Sequence, residues 1–532
     1  MSQSNASTSL GVIQWAQLFQ VQAQPGLPLH ARLRQAVVQA ILEGRLTAGT
    51  ALPSSRDLAR VLGLSRNTVT TAYSQLIDDG YLASRQRQGV FVATNARPTS
   101  VNQAAHLDNP FEGSAPAIGA STDWTQRMVR AVTRRRTLAK PARWRDYPYP
   151  FVYGASDTKL FPVEDFRECC TLSLGRAQVP QWTPDLECSD VPHLVEQIRL
   201  RLLPKRGVFA LADEILITVG SQHAYCLLAE ALFDARTKVG LEEPGHPHAR
   251  NSFSMRGSHF IDIPVDEQGL VVDAMPALDY VFVTPSHQSP TTHVMSLERR
   301  QWLLRKAELQ DFAIIEDDYE ADTLYDGNPM PALKSLDKAG RVIYIGSLSK
   351  SLSPALRLGY IVASRALIGE LRLIRHAMLR HPSAFLQHAY AMFLSLGHHE
   401  SHARRVNQDM LQRLAMVGNS MARHLPDFSF SMPQGGASVW VRAPDGLDAG
   451  ALADMAQQHG VLIEAGAVFF ANPPTPCPFF RMRLSSIALP QIDAGVAALA
   501  RAVRQLRARG PLALTAALEG RLAPAHAVSQ HA

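Results

Sequence analysis

One lysine, Lys350, lies in a loop of small hydroxyl residues that follows a short apolar run at residues 342–345. Such a run is typical of a buried strand. A lysine at the end of a buried strand is partly removed from water, which lowers its pKa and makes its amine able to form a Schiff base. Ser347 and Ser349 can donate hydrogen bonds to a phosphate, and Arg357 can bind one as a fork. These residues predict a site for pyridoxal 5'-phosphate (PLP), with an ordinary turn and an exposed lysine as the alternative.

Four more short apolar runs, each followed by polar residues, are typical of strands in one parallel sheet. They occupy residues 214–218, 237–241, 280–283 and 312–316. Helical stretches lie between them, which indicates an α/β domain. Because ligands bind at the carboxyl ends of strands in such sheets, the polar residues after each run are expected to meet there.

Two of these strand ends carry groups that suit PLP. Gly220, Ser221 and Gln222 follow the first run and open a helix, whose N-terminal N–H groups would cradle a phosphate. Asp317 follows the fourth run, where a carboxylate can pair with the protonated pyridine nitrogen and strengthen the electron sink. Asp318 competes with Asp317 for that role.

The first hundred residues predict three helices separated by short turns. A stripe of apolar residues from position 29 ends at Gly44, a second helix starts near position 54, and Gly63 makes the next turn. Ser65 then caps a third helix over residues 66–79. A helix, a short turn with glycine and another helix form the helix-turn-helix pattern.

The third helix opens with short or forked hydrogen-bond donors, which suit base edges and phosphates. The DNA-contacting residues predicted in the helices are Arg56, Ser65, Arg66, Asn67, Thr68 and Thr70. Two short strands, at residues 81–82 and 90–92, would form a wing that brings Arg85 and Arg87 near backbone phosphates. A small helical bundle with solvated arginines is the alternative.

Several motifs resemble known families. Residues 52–59, 64–69 and 80–82 resemble the winged helix-turn-helix of GntR-type bacterial repressors, although Arg87-Gln-Gly89 stands at the wing tip where Gly-Ser-Gly is expected. The motifs that resemble fold-type I aminotransferases are, in order, Gly220-Ser-Gln222, Glu243-Pro-Gly-His-Pro247, Pro285-Ser-His-Gln288, Glu316-Asp-Asp-Tyr319 and Ser347-Leu-Ser-Lys350. The joined pair resembles the MocR/GabR group of bacterial regulators over residues 28 to about 505.

The resemblance implies a role for each matching residue. Lys350 would form the Schiff base with PLP, Asp317 would pair with the ring nitrogen, and Tyr319 would lie near the ring hydroxyl. The phosphate would be held by Gly220, Ser221, Gln222, Ser347 and Arg357. Arg483 would bind the carboxylate of an amino-acid-like effector, with Arg481, two positions earlier on the same strand face, as the alternative.

Three positions depart from the aminotransferase pattern. His246 stands where the family usually has a tyrosine, so that ring stacking on PLP would change. Ser289 replaces an asparagine that contacts the ring hydroxyl, and Thr292 replaces the glycine of a turn. These changes leave the Schiff base intact but argue against efficient transamination.

Composition sets the frame for these motifs. A chain of 532 residues is too long for one core, so at least two domains are expected. There is no apolar run of membrane-spanning length and no secretory signal pattern, and the five cysteines show no disulfide framework or zinc motif. The net charge of +6 permits nucleic-acid binding. We expect an N-terminal segment (1–27), a DNA-binding domain (28–95), a flexible basic linker (96–145), a PLP-binding domain (146–507) and a tail (508–532).

Taken with the resemblance, the sequence predicts a PLP-dependent transcriptional regulator. Its winged helix-turn-helix would bind operator DNA, and its aminotransferase-like domain would sense an amino compound in the cytoplasm. The fold implied by the resemblance indicates a homodimer, and we expect no metal site. Two alternatives remain: a true aminotransferase with a DNA-binding appendage, and a sensor whose effector is PLP itself.

Overall fold

The computed structural model describes residues 15, 18, 19, 27–94, 124–128, 137, 138, 140–153, 157–323, 325 and 330–508, without the side chains of residues 125, 126, 349 and 351. The chain divides into two units, residues 1–129 and 130–532. Most of the linker predicted at residues 96–145 lies outside the described residues, as does nearly all of the predicted tail.

The first unit is a three-helix domain with a small sheet. Its helices are α1 (Leu29–Leu42), α2 (Ser55–Leu62) and α3 (Arg66–Asp78), and a four-residue helix, Trp124–Arg127, belongs to the same unit. Its strands are β1 (Ala51–Leu52), β2 (Leu82–Arg85) and β3 (Gly89–Val92), which pair antiparallel in the order β1-β3-β2. The wing therefore exists as predicted, but β1, which had not been predicted, adds a third strand to it.

Local sequence explains where these helices begin and turn. Ser54 and Ser65 accept hydrogen bonds from the backbone N–H groups of Asp57 and Thr68, which caps α2 and α3. Gly63 ends α2 with a φ of 65°, a left-handed conformation that glycine adopts without strain.

The core of this unit collects the apolar faces of α1, α2 and α3 with the inner face of the small sheet. Trp15 and Phe19, from the segment predicted as 1–27, are buried in the same cluster and stack with their ring centroids 5.6 Å apart. At least part of the N-terminal segment is therefore integral to the DNA-binding unit.

The second unit contains the remaining strands, of which β5, β6, β9, β10 and β11 correspond to the five predicted runs. They are β4 (Tyr149–Pro150), β5 (Ile215–Thr218), β6 (Lys238–Glu243), β7 (His259–Asp266), β8 (Gly269–Leu270), β9 (Tyr280–Val283), β10 (Ala313–Asp318), β11 (Val342–Ser347), β12 (Gly359–Val362), β13 (Ser429–Phe430), β14 (Ser438–Arg442), β15 (Val461–Leu462), β16 (Glu464–Ala465) and β17 (Phe479–Arg483).

Helices cover the sheets of this unit. They are Val163–Ser173, Pro192–Gln197, Gly220–Leu232, Pro247–Phe253, Leu297–Gln310, Leu333–Leu336, Ser349–Leu352, Arg365–Leu379, Ala384–Ser395, His398–His424, Ala449–Gln458 and Ile492–Ala508. None of the described helices is long and apolar enough to cross a membrane.

The large sheet has the strand order β5-β12-β11-β10-β9-β6-β7-β8. Strands β6, β9, β10 and β11 run parallel, as predicted, and so does β7, which had not been predicted. The expectation of an all-parallel sheet was wrong at β12, which lies antiparallel between β11 and β5, and at β8. Apolar clusters cover both faces of the sheet, so its central strands are buried.

A second, antiparallel sheet has the order β13-β14-β17-β16 and packs with the last long helix around its own core. Strands β4 and β15 form a separate parallel pair. Beside them, Trp144 is buried against Val152 and Leu462. Residues 140–145, which we had assigned to the linker, therefore pack onto the second unit.

Candidate functional site

A cavity of about 130 Å³ lies where the polar residues after several strands of the large sheet meet the edge of the small sheet. Every predicted cofactor-binding residue whose side chain is described lines it. These are Gly220, Ser221, Gln222, His246, Asp317, Tyr319, Ser347, Lys350 and Arg357, joined by Ser289, Arg481 and Arg483. The side chain of Ser349 lies outside the described part of the chain.

Lys350 lies in a one-turn helix, Ser349–Leu352, directly after β11, rather than in an open loop. Its Nζ is 3.6 Å from the centroid of the Tyr319 ring. Burial lowers the pKa of Lys350 to about 7; Glu320 and Asp317 oppose this shift, and Arg483 adds to it. A large fraction of the amine, about half at pH 7, is therefore neutral and nucleophilic.

Asp317 and Asp318 are the last two residues of β10, so they point to opposite faces of the sheet. The hydroxyl of Tyr225 donates to Asp317 Oδ2, while the buried Oδ1 has no partner among the described residues. Burial raises the pKa of Asp317 to about 7. Asp318 is instead bonded to Arg206 Nε at 2.7 Å and to the Tyr344 hydroxyl at 2.8 Å. This geometry favours Asp317, not Asp318, as the partner of a ring nitrogen.

Gly220 and Arg357 form the wall of the cavity that suits an anion. Gly220 has a φ of 73°, and a Cβ built on it would lie 3.2 Å from Arg357 Cζ. Arg357 Nη2 donates to the carbonyl of Val219 at 3.3 Å, which holds the guanidinium beside the start of the helix Gly220–Leu232. A helix N-terminus and a fixed guanidinium together can bind a phosphate.

The three departures from the aminotransferase pattern have different environments. His246 Nδ1 accepts from the N–H groups of His248 at 3.2 Å and Ala249 at 3.4 Å, and burial lowers its pKa well below the ordinary value, so that the ring stays neutral. Ser289 is buried in the cavity wall. Thr292 has a φ of 67°, a strained conformation for a β-branched residue, because it occupies a turn that would suit glycine.

The two candidate arginines occupy the same face of β17, and each is paired with a glutamate. Arg483 Nη2 donates to Glu320 Oε1 at 2.7 Å, and its Nη1 donates to Ser438 Oγ at 3.1 Å. Arg481 Nε donates to Glu464 Oε2 at 2.6 Å. Sequence reasoning missed both glutamates and Tyr225. Only the position of Tyr225, five residues after Gly220 in the same helix, could have indicated that it lies near the site.

The predicted DNA-contacting residues lie around the start of α3. Arg66, Asn67 and Thr70 are exposed, and Arg56 is exposed on α2. Ser65 and Thr68 are hydrogen-bonded to each other at 2.8 Å within the helix cap. They fix the start of the helix, and we had not predicted the exposed Thr71, which lies next to Thr70 on the outward face.

The wing places its two arginines differently. Arg85 is the last residue of β2, and its guanidinium lies 4.7 Å from the centroid of the Phe91 ring. Arg87 is exposed in the turn between β2 and β3 with a φ of 63°. Arg87 at the tip is therefore the freer of the two to reach a phosphate.

The described side chains fit PLP. One cavity brings together a buried amine of lowered pKa, a buried Asp317 oxygen with no partner among the described residues, and a wall that suits an anion, which are the groups that PLP needs. When bound, PLP supplies an aldehyde that condenses with amines and an electron-withdrawing ring. The fold and site thus define a DNA-binding winged helix joined to an aminotransferase-type PLP domain.

Comparison with known proteins supports both halves. Residues 29–92 match the family "Bacterial regulatory proteins, gntR family", and residues 193–499 match "Aminotransferase class I and II". The chain is 39% identical to the HTH-type transcriptional regulator TauR of Rhodobacter capsulatus, over 90% of this chain and 96% of that protein. It is 32% identical to the probable rhizopine catabolism regulatory protein MocR of Rhizobium meliloti, over 84% and 88% of the two chains.

Among solved structures, LysN, the α-aminoadipate aminotransferase of Thermus thermophilus, in complex with N-(5'-phosphopyridoxyl)-L-leucine, is similar with a TM-score of 0.66 and 25% identity. The similarity covers 73% of this chain and all of that one. The chain belongs to the MocR/GabR group of GntR-type transcriptional regulators, which join a winged helix-turn-helix to an aminotransferase-like domain. It is a DNA-binding transcriptional regulator whose cofactor is PLP.

Proposed function

We propose that the protein senses an amino compound in its PLP site and changes its binding to operator DNA in response. The observation that carries the proposal is the chemistry of one cavity: the nucleophilic Lys350 amine lies in the same chamber as Arg483, a buried guanidinium. An amine can exchange with Lys350 at the cofactor, while an anionic group on the same molecule contacts Arg483.

Each residue has a defined part in this proposal. Lys350 would hold PLP covalently in the resting protein, and Asp317 would keep the ring nitrogen protonated through Oδ1, which has no partner among the described residues. Gly220, Ser221, Gln222, Ser347, Ser349 and Arg357 bind the phosphate. Tyr319 and the neutral His246 would lie against the ring of the cofactor, because both line the cavity.

The response is a change between two arrangements of the second unit. Arg483 belongs to β17 of the small sheet, whereas Lys350 follows β11 of the large sheet. A ligand that contacts both residues stabilises the arrangement in which the two sheets lie closest. We propose that the protein acts as a cytoplasmic homodimer, in which the segment from 96 to 145 passes this change to two DNA-binding heads.

The DNA-binding role assigned to the first unit follows from its exposed surface. Arg66, Asn67 and Thr70 would contact base edges or phosphates, and Arg56, Arg85 and Arg87 would contact the backbone. Ser65 and Thr68 would position the start of α3 rather than contact bases, since their hydroxyls are bonded to each other.

A true aminotransferase is the second candidate, because the Lys350 and Asp317 environment is sufficient to activate PLP. The two candidates differ in turnover. Incubation of the PLP-loaded protein with amino acids and a keto acid would release new amino acid repeatedly from an enzyme, whereas a sensor would bind without sustained product release.

The experiment that tests the proposal uses Arg483→Ala. A panel of amino acids and simple amines is first screened by the absorbance of the bound cofactor, and the compound that changes operator affinity is kept. Arg483→Ala should retain the cofactor and basal DNA binding, but should lose at least about 1 kcal/mol of the coupling between ligand and DNA. Arg442→Ala, an exposed arginine on the neighbouring strand β14, serves as the control. An Arg483→Ala protein that responds at the parent's ligand concentration would refute the role of Arg483.

A further inference from the structure

Arg483, the arginine proposed to bind the anionic group of the effector, is already paired. Its Nη2 donates to Glu320 at 2.7 Å, and both side chains are buried. Burial would raise the pKa of Glu320, but Arg483, Lys350 and His287 together hold it at about 2, so the carboxylate is charged. Glu320 lines a second cavity, to which Lys350 and Arg483 also contribute, so its carboxylate lies beside both groups that the ligand is proposed to contact.

A second anion cannot simply be added beside this pair. One guanidinium would then face two carboxylates in a buried site, and uncompensated buried charge is strongly unfavourable. An anionic ligand must therefore take Arg483 from Glu320, and Glu320 must find another partner.

His287 is the neighbour that can accept it. The imidazole is buried, and neither ring nitrogen has a hydrogen-bond partner among the described residues. Glu320 and His287 both lie close to Gly436, and His287 also lies close to Gly435. A Cβ on Gly435 would overlap the imidazole, and one on Gly436 would overlap the Glu320 carboxylate. The two side chains thus share one small space that only glycine leaves open.

A buried ring with two unpaired nitrogens is costly to keep for packing alone. Burial lowers the pKa of His287; Glu320 and Asp318 oppose this shift, and Arg206 and Lys350 add to it, so that a neutral ring remains, which can donate one N–H. Asp318 is already bonded to Arg206 and the Tyr344 hydroxyl. Of the two carboxylates, Glu320 is therefore the one that a ligand could release, because its partner Arg483 faces the ligand site.

We propose that Glu320 competes with the anionic group of the effector for Arg483. When the effector binds, Glu320 leaves Arg483 and pairs with His287. Glu320 and His287 are specificity-determining residues: Glu320 sets the affinity threshold that an anionic amino compound must exceed, and His287 lowers that threshold by receiving the displaced carboxylate. The ligand class is an amine with a carboxylate, or an equivalent anion, near the amine. This inference rests on the proposed role of Arg483.

The test compares L-alanine with ethylamine, which is alanine without its carboxylate. Affinities are measured on the PLP-loaded protein from the change in cofactor absorbance and, independently, by calorimetry, with free PLP as a blank. Glu320→Gln should tighten L-alanine binding by about tenfold or more, whereas His287→Leu should weaken it by about threefold or more. Neither variant should change ethylamine binding by more than about twofold. A structural role alone would not shift the two ligands differently or the two variants in opposite directions.

Matched variants separate the outcomes. Glu464→Gln, which releases Arg481 in the same way, should not reproduce the gain; if it does while Glu320→Gln does not, the proposal is overturned in favour of Arg481. If Arg483→Ala removes the advantage of L-alanine but Glu320→Gln leaves its affinity unchanged, Glu320 is no competitor and only the present inference fails.

If L-alanine affinity is indifferent to Arg483→Ala as well, the proposed role of Arg483 fails with it. If Glu320→Gln does not fold, the affinities of the parent protein for L-alanine and ethylamine still test the proposal. Because Glu320 offsets the gain from Arg483, the parent should bind L-alanine no more than about tenfold more tightly than ethylamine, and a larger preference overturns the proposal.

Discussion

At the scale of single residues, burial decides the chemistry of the PLP site. The same loss of water lowers the pKa of Lys350 and raises that of Asp317, each to about 7. Lys350 and Asp317 could be predicted from the sequence because each sits at the end of an apolar run. Glu320 could not be, because its partner Arg483 is 163 residues away and meets it only when the two sheets are assembled.

The lowered pKa of Lys350 predicts how fast protein freed of cofactor will attach PLP covalently. Only the neutral amine is a nucleophile, so the rate should rise with pH up to about 7 to 8 and then level, because the pKa is about 7. A lysine of ordinary pKa would give a rate that keeps rising towards pH 10.

Borohydride reduction followed by mass spectrometry would measure the attached fraction at each pH. Lys350→Ala should show no attachment to this loop at any pH. A rate that continues to climb between pH 8 and pH 10 would contradict the buried, neutral amine.

At the scale of elements, apolar runs located five of the eight strands of the large sheet, but not β7, β8 or β12. The residues of β12, Gly359–Val362, are buried like those of a parallel strand, yet the strand runs antiparallel. Direction cannot be read from an apolar run, since burial on both faces hides any alternation. The helix-turn-helix was easier to predict, because Ser54, Ser65 and Gly63 mark its helix boundaries through local hydrogen bonds and backbone conformation.

The exposed start of α3 predicts the effect of Arg66→Ala. If Arg66 contacts a guanine edge or a phosphate, its loss should weaken operator binding by roughly 1–3 kcal/mol while PLP binding stays unchanged. Arg34→Ala removes the same charge from α1, where Arg34 pairs with Asp79 at 3.0 Å, and should have a smaller effect. Fluorescence anisotropy over a salt titration measures both. If both variants lose the same operator affinity, Arg66 contributes only its positive charge and makes no specific contact.

The left-handed conformation of Thr292 predicts that glycine substitutions at Thr291 and Thr292 change the stability of the protein differently. Thr292→Gly should leave the unfolding midpoint unchanged or raise it, because relief of the left-handed strain offsets the roughly 0.5–1 kcal/mol entropic cost of glycine. Thr291→Gly should lower stability by about 1–3 kcal/mol, because Thr291 Oγ1 donates to Gln288 Oε1 at 2.7 Å. Thermal unfolding followed by circular dichroism compares them, and a larger loss in Thr292→Gly would show that the threonine is needed there.

At the scale of the whole molecule, the chain combines a small head that binds DNA with a large unit that binds PLP. The sequence predicted this division because helix-turn-helix spacing gives way to alternating strands and helices. We had not predicted that Trp15 and Phe19 complete the core of the head, although Trp15, Leu18 and Phe19 have the i, i+3, i+4 spacing of an apolar helix face. Regulation requires that the two units share a free energy of coupling, which typically amounts to about 1–3 kcal/mol.

The most direct measurement of that coupling is the operator affinity of the PLP-loaded protein with and without an amine that changes its cofactor absorbance. DNA selected by the full-length protein from a random pool serves as the operator, and Lys350→Ala serves as the comparison. The parent should change its DNA affinity by about fivefold or more when the amine is added, and Lys350→Ala should not change at all. A parent whose cofactor spectrum responds fully while its DNA affinity stays constant would contradict the account.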